Sequence, residues 1–415
     1  VAKQADVALL QEATDLDAEN AEELLNIALE LLVRSRDLDG AGPLEESLRN
    51  FLASHNLTRR RQKVYEALAS TSSAKVRQYG QTLDRVLSTN TFDIYRALGR
   101  RTAVTMVLDA SVAMPVLFGL SFGSARSRYG VAALALKRAC DAHSIEMVVP
   151  KAYLNEMAYH GMKGALERID IVEALPEEAR SAMRASGNAY LSHFAHIAET
   201  MNQQGDKLSL KDFLDHFGIS VGRPLHSIEN RIQTLLDGFG IKILQGTRWD
   251  QNIRNRIVEE KPRETKPIID HDAVVATLLK NDDSKGFILA TWDRVMIGLV
   301  QELARVYADT PARVIDFLSL AVGLEFEQEK NFELLTTLLH ADERVAEKLA
   351  SMIDRINTVD VAFKLDRIVR DARSQGGSEW SLTEDLISPL LVREPEAEKS
   401  EGEPLDPTSD NTGPN

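Results

Sequence analysis

The chain reads as an α/β protein whose mostly parallel sheet is set between helical regions, and three observations lead there. Short apolar runs at Val104–Leu108, 145–149, Ile241–Leu244, 287–290 and 314–317 have the composition of strands buried on both faces. Helical stretches over 125–142, 151–168, 248–260 and 271–280 separate them, and that alternation gives a parallel sheet with helices on both faces. On either side, up to about 101 and again after 317, apolar residues recur at helical spacing.

Leu24, Leu25, Ala28, Leu31 and Leu32 line one helix face, and Gly42-Pro43 ends that element and opens the next. Helices are expected over 44–55, 58–70, 73–88 and 91–98, with Ser72 and Thr89-Asn90 as caps and Gly99 as terminator. Residues 1–101 are therefore expected to form a helical bundle. The α/β domain covers 102–320 and contains a helical insertion at about 176–238. A helical C-terminal region spans 321–392, interrupted at Gly376-Gly377. Residues 393–415 hold four prolines, seven acids and almost nothing apolar, so a disordered acidic tail is expected.

Composition narrows the function classes. At 415 residues the length suggests more than one domain, and 44% hydrophobic content supplies ample core. No apolar run approaches the roughly 18 residues of a membrane span, and no signal-peptide pattern opens the chain, so a cytoplasmic location is expected. Cys140 is the single cysteine, which excludes an internal disulfide and a cysteine-built zinc site. The net charge of −14 is concentrated at the ends: residues 1–30 carry −7 and 393–415 carry −5. Residues 59–101 carry +7, so global acidity does not exclude a nucleic-acid partner.

The chemistry-bearing residues stand where the expected strands end. Asp109 follows the first run, Asp293 follows the fourth, Glu156 lies in the helix after Pro150, and Asp272 begins the helical stretch 273–279. Ligands bind at the carboxyl ends of strands in an open parallel sheet. Carboxylates converging there repel one another, and a hard divalent cation such as Mg²⁺ or Mn²⁺ relieves that repulsion. Such an ion can activate a water and stabilise charge on a phosphodiester. Taken singly, each acid is equally well a helix cap or a dipole partner.

Val107-Leu108-Asp109-Ala110-Ser111-Val112 resembles the opening motif of PIN-domain nucleases. Pro150-Lys151-Ala152-Tyr153-Leu154-Asn155-Glu156 is similar to the second motif, and Asp272-Ala273-Val274-Val275-Ala276-Thr277 to the third. Leu289-Ala290-Thr291-Trp292-Asp293 resembles the fourth, and Arg313-Val314-Ile315-Asp316-Phe317 the last strand. The resemblance covers roughly 103–320. It implies a PIN-like fold and a Mg²⁺- or Mn²⁺-dependent nuclease, most often a ribonuclease, with Asp109, Glu156, Asp272 and Asp293 as catalytic metal carboxylates. It also implies that Ser111 and Thr291 orient ligands or a phosphate. Asp270 fits an additional outer acid and fits a plain turn residue as well. The 115 residues between Glu156 and Asp272 exceed what a compact family member has, which is why an insertion is expected.

Rival chemistries have less support. His193 and His196 lack a third ligand at zinc spacing and are expected to be core or solvated residues, and Cys140 is expected to pack. No phosphate loop ending in Lys-Ser/Thr and no nucleophile elbow is present. Two basic segments are candidates for nucleic-acid binding. One holds Arg59, Arg60, Arg61, Lys63, Lys75, Arg77, Arg85, Arg96, Arg100 and Arg101 with Tyr65, Tyr79 and Tyr95 interleaved, and reads equally as a solvated helix face. The other, Arg248, Arg254, Arg256, Lys261, Arg263 and Lys266, leads into the Asp272 helix and is the better phosphate-contact candidate. The expectation is a metal-dependent endonuclease acting on RNA in preference to DNA, without membrane association and with the helical flanks available to a protein partner. A structure-specific DNase with the same carboxylates and a catalytically silent PIN-like scaffold are the alternatives.

Overall fold

The computed structural model describes residues 2–34, 42–88, 104–123, 127–204, 207–246, 248–282, 285–303, 305–321, 331–374 and 382–391. The helix expected at 91–98, the Gly376-Gly377 break and the tail at 393–415 lie outside the described residues.

The N-terminal region runs through α1 (Ala2–Thr14), α2 (Ala18–Arg34), α3 (Gly42–Ser54), a single 3-10 turn (Thr58–Arg60), α4 (Arg61–Ser70) and α5 (Ser72–Ser88). The leucine stripe of α2 is wholly buried, as its spacing dictates. Asp6 of α1 caps α5 from a distance, accepting from the Ser72 N–H at 2.7 Å and the Ser73 N–H at 2.8 Å. Tyr65 is buried in this core and Tyr79 is exposed on α5, so the two aromatics do not form one stacking surface.

Next come β1 (Val104–Leu108), α6 (Ala110–Phe122), α7 (Arg128–Ala142), β2 (Glu146–Pro150) and α8 (Lys151–Tyr159). A π-helical turn (His160–Ala165) and a 3-10 turn (Leu166–Arg168) continue from α8. After α9 (Ile169–Ala174), the stretch expected as a helical insertion, about 176–238, is helical: α10 (Glu177–Ala182), α11 (Ala189–Gln204), α12 (Leu210–His216) and α13 (Leu225–Gly238). Then follow β3 (Ile241–Leu244), α14 (Gln251–Glu260), α15 (Lys266–Asn281), β4 (Gly286–Ala290), α16 (Arg294–Gln301) and β5 (Val306–Asp309). The described chain ends through α17 (Pro311–Ala321), α18 (Phe332–Ile353), α19 (Val359–Ser374) and α20 (Glu384–Leu391). Among the described residues no helix is long and apolar enough to cross a membrane.

The strands form one parallel sheet in the order β3-β2-β1-β4-β5. Every residue of β1 is buried, which requires cover on both faces. The chain builds outward from β1 to β2 and β3 on one side, then crosses back to add β4 and β5 on the other. The gap between the carboxyl ends of β1 and β4 is therefore the switch point at which such sheets bind ligands.

One strand expectation is corrected. Residues 314–317 are helical, inside α17, and the last strand is Val306–Asp309. Ala312, Val314, Ile315, Asp316, Phe317 and Leu318 are all buried, so this helix is enclosed on most sides and its apolar residues run together as a buried strand's would, and Pro311 supplies a helix start. A four-residue apolar window could not separate the two readings.

The insertion is anchored by aromatic packing. Phe118 of α6 meets Tyr190 at 4.8 Å, Phe217 at 5.1 Å and Phe213 at 5.6 Å between ring centroids. A Cβ on Gly161 would stand 2.3 Å from Ile219 Cδ1 and 3.0 Å from the Tyr190 ring, so a larger residue here would have to displace the Ile219 side chain. His193 and His196 lie in the same region; burial pushes their imidazoles down to about 3 and about 4, as fits neutral core residues. Cys140 is buried, with its thiol pushed up by that burial.

Helix α18 joins the two cores. Leu334, Leu335, Leu338 and Leu339 pack into the N-terminal helices, and Met352 and Ile353 pack into the core around the sheet. Asn331 begins it: the backbone N–H donates to the Ala69 carbonyl at 2.6 Å, the side-chain oxygen accepts from the Leu334 N–H at 2.8 Å, and Nδ2 donates to the Ala74 carbonyl at 3.1 Å. Replacing Asn331 by Ala removes the cap and the bridge to α5 together. Denaturant titration of Asn331→Ala is expected to give a loss of about 1–3 kcal/mol. Wild-type stability in that variant would mean that the junction carries no load.

Candidate active site

The site grows from the register of β1 and β4. Leu108 pairs with Ala290, which sets Asp109 beside Thr291 one residue further on. The Asp109 N–H donates to the Ala290 carbonyl at 3.1 Å, so strand pairing continues to the acid itself. The Asp109 carboxylate caps α6, accepting from the Ser111 N–H at 2.9 Å, and accepts the buried Thr291 hydroxyl proton on its other oxygen. Thr291 Oγ1 in turn accepts from the Asp293 N–H at 2.9 Å, and Asp293 caps α16 through the Val295 and Met296 N–H groups. One hydroxyl thus ties the two strand-end acids together.

Helices deliver the other two acids. Asp272, on α15, is 4% exposed and accepts from the Tyr153 hydroxyl of α8 at 3.2 Å. Glu156 lies on α8 three residues after Tyr153, with His160 Nε2 at 3.6 Å and His271 Nδ1 at 3.8 Å from its oxygens. The Tyr153 phenol is pushed well up by burial, with further contributions from Asp272, Asp109, Glu156 and Asp293. All four predicted carboxylates therefore act electrostatically on this one buried phenol, and Asp272 is the one that bonds it.

Their charges are unequal. Burial and the neighbouring Glu156 charge push the Asp109 carboxyl up to about 7. Burial also raises Asp272, to about 6, against the opposing pull of Lys261. Glu156 is half-buried, but His160 and His271 outweigh the cost of that burial and hold it down to about 2. Lys261 is a central cation: its side chain is 10% exposed, and its ammonium donates to Asp272 Oδ2 at 2.7 Å and to Asp293 Oδ2. Although burial opposes it, the two carboxylates raise the Lys261 ammonium above its ordinary value.

The donors suit a hard divalent cation in chemistry, being carboxylate and hydroxyl oxygens only. Ser111, whose N–H bonds Asp109, has a buried Oγ with no hydrogen-bond partner among the described residues, a polar atom that a ligand would satisfy. Among the described residues no group of three or more His, Cys, Asp or Glu side chains is drawn together as a metal cage. Asp272 and Asp293 are turned to Lys261, and Asp109 to Thr291 and Ser111, so the carboxylates hold protein partners in this arrangement.

The remaining predicted residues divide. Arg254 of α14 pairs with Asp270 at 2.6 Å, so Asp270 is the counter-ion of an arginine and bridges α14 to α15. Arg256 pairs with Glu302 at 3.0 Å on the surface. Arg248 and Arg263 are exposed, and Lys261 is drawn into the acid cluster. In the other basic segment, Arg60 pairs with Asp15 at 2.6 Å. Tyr153 and His160 were not anticipated as site residues. The four-residue step from Glu156 to His160 on a helix was the available signal for the second.

No family model matches the chain, and no curated protein or solved structure is significantly similar to it.

The raised Asp109 carboxyl has a consequence for stability. Between the ordinary value of 3.8 and about 7 the folded state binds more protons at this group than the unfolded state. Its contribution therefore falls as pH rises through that window. In metal-free buffer, the melting temperature of wild type minus that of Asp109→Asn is expected to decline from about pH 4 to about pH 7. A difference independent of pH would contradict the buried, proton-retaining carboxyl.

Proposed function

We propose that this chain is a Mg²⁺- or Mn²⁺-dependent endonuclease that hydrolyses phosphodiester bonds, with RNA preferred over DNA. The observation that carries this reading is the convergence of Asp109, Glu156, Asp272 and Asp293 at the switch point of a parallel sheet. The order and surroundings of the four acids, which resemble the PIN-domain motifs, support the same chemistry and the preference for RNA.

A divalent ion held by these carboxylates would supply an activated water and a counter-charge for the phosphate. The chain's own residues prepare the centre for that work. Thr291 fixes Asp109 relative to Asp293, and the Tyr153 hydroxyl fixes one oxygen of Asp272. Ser111 Oγ has hydrogen-bonding capacity left for a ligand or a phosphate oxygen. Among the described residues the exposed Arg248 and Arg263 hold no carboxylate and offer phosphate contacts directly, whereas Arg254 and Arg256 would have to exchange theirs.

One observation favours the rival reading of a catalytically silent scaffold: the Lys261 ammonium already pairs with two of the four acids. Incubating the purified protein with end-labelled RNA and DNA, with and without Mn²⁺, separates the readings. The expected result is Mn²⁺-dependent RNA cleavage that drops to background in a folded Asp109→Asn variant, because Asn keeps the size and loses the charge. Cleavage of DNA alone would favour the structure-specific DNase. Cleavage of neither, or wild-type rates in the variant, would overturn the proposal.

A further inference from the structure

Lys261 holds a position that the nuclease reading assigns to a metal. Its ammonium lies between Asp272 and Asp293 and takes one oxygen of each. A divalent ion bound by the same two carboxylates would compete with the ammonium for their Oδ2 atoms, and the two cations would repel at such short range. The pull of each acid on the ion is strongest once the ammonium has moved away.

The way the lysine is tethered permits exchange. Lys261 directly follows α14, with its backbone N–H on the Ile257 carbonyl at 2.8 Å. Residues 262–266 are all exposed, so apolar burial does not fix the turn that leads into α15. Two helical turns earlier, the Arg254–Asp270 pair clamps α14 to α15. The helices can therefore stay packed while the Lys261 side chain swings outward, toward the face where Arg263 is exposed.

We propose that Lys261 is an exchangeable counter-ion: it holds Asp272 and Asp293 together in the metal-free protein and yields them to a divalent cation. The ammonium released to the rim then becomes a contact for the substrate phosphate. This inference rests on the metal-dependent reading of the site. It assigns Lys261 two positions in one cycle, and it makes metal binding the event that delivers a basic side chain to the substrate face.

The test uses the whole chain and needs no nucleic acid. Lys261 is labelled with an amine-reactive acetylating ester in the absence and presence of Mn²⁺, and the modified peptide is quantified by mass spectrometry. In parallel, Mn²⁺ binding to wild type and Lys261→Met is measured by calorimetry. Exchange predicts that Lys261 is protected without metal and labelled several-fold faster with it, while exposed Lys266 is labelled equally in both. It also predicts tighter Mn²⁺ binding by Lys261→Met, by about tenfold or more, since a competing cation is gone. Should the Met variant fail to fold, the labelling of wild type decides alone. If wild type binds Mn²⁺, loses that binding in Asp109→Asn, and keeps Lys261 protected, exchange is wrong and the metal reading stands. If neither wild type nor Lys261→Met binds Mn²⁺, the metal reading falls and the exchange falls with it.

Discussion

Acidic groups brought close together at the end of a buried sheet repel one another, and each loses hydration. The centre of this protein is arranged around that conflict. Asp109 meets it by retaining a proton up to about 7 while accepting from Ser111 and Thr291. Glu156 meets it through two imidazoles, and Asp272 and Asp293 share one ammonium. Each solution leaves the acids in place without making them equivalent. On the reading proposed above, the positive charge that completes the cluster is that of a divalent ion.

The scaffold serves this cluster at several removes. The Leu108–Ala290 register decides that Asp109 and Thr291 are neighbours, and a one-residue slip would point them to opposite faces. Helix α8 carries Tyr153 and Glu156 toward α15, and the insertion packs behind through the Phe118, Tyr190, Phe213 and Phe217 rings. Those rings bear on α6, the helix that Asp109 caps. Helix α18, begun by Asn331, then joins the N-terminal helices to the core around the sheet.

What the sequence made legible follows from the range of the interactions involved. Asp109 and Asp293 end short apolar runs, so their placement at strand ends is a local matter of period and composition. Glu156 and Asp272 sit on helices whose periodicity is clear, and only the topology of the sheet brings them together. Tyr153 owes its role to the packing of α8 against the rest of the site, which no local pattern encodes, whereas His160 stands one helical turn after Glu156, a step the sequence does carry. Lys261 stood out as one of a basic cluster, yet its burial between two acids depends on the turn between α14 and α15. The 314–317 run reads as a strand although it is helical, because four residues are too few to tell a buried strand from a buried helix. The true edge strand, Val306–Asp309, was passed over because only three of its residues are apolar.

The central claim is that these four carboxylates together need a cation that the chain does not fully supply. Thermal melting with and without millimolar Mn²⁺ tests it most directly, in wild type, Asp272→Asn and Asp293→Asn. A ligand that binds the folded state raises its melting temperature, and by less when its ligands are removed. A clear Mn²⁺-induced rise in wild type that shrinks in both variants is the result this account predicts. Equal rises in all three proteins, or no rise in wild type, would contradict it.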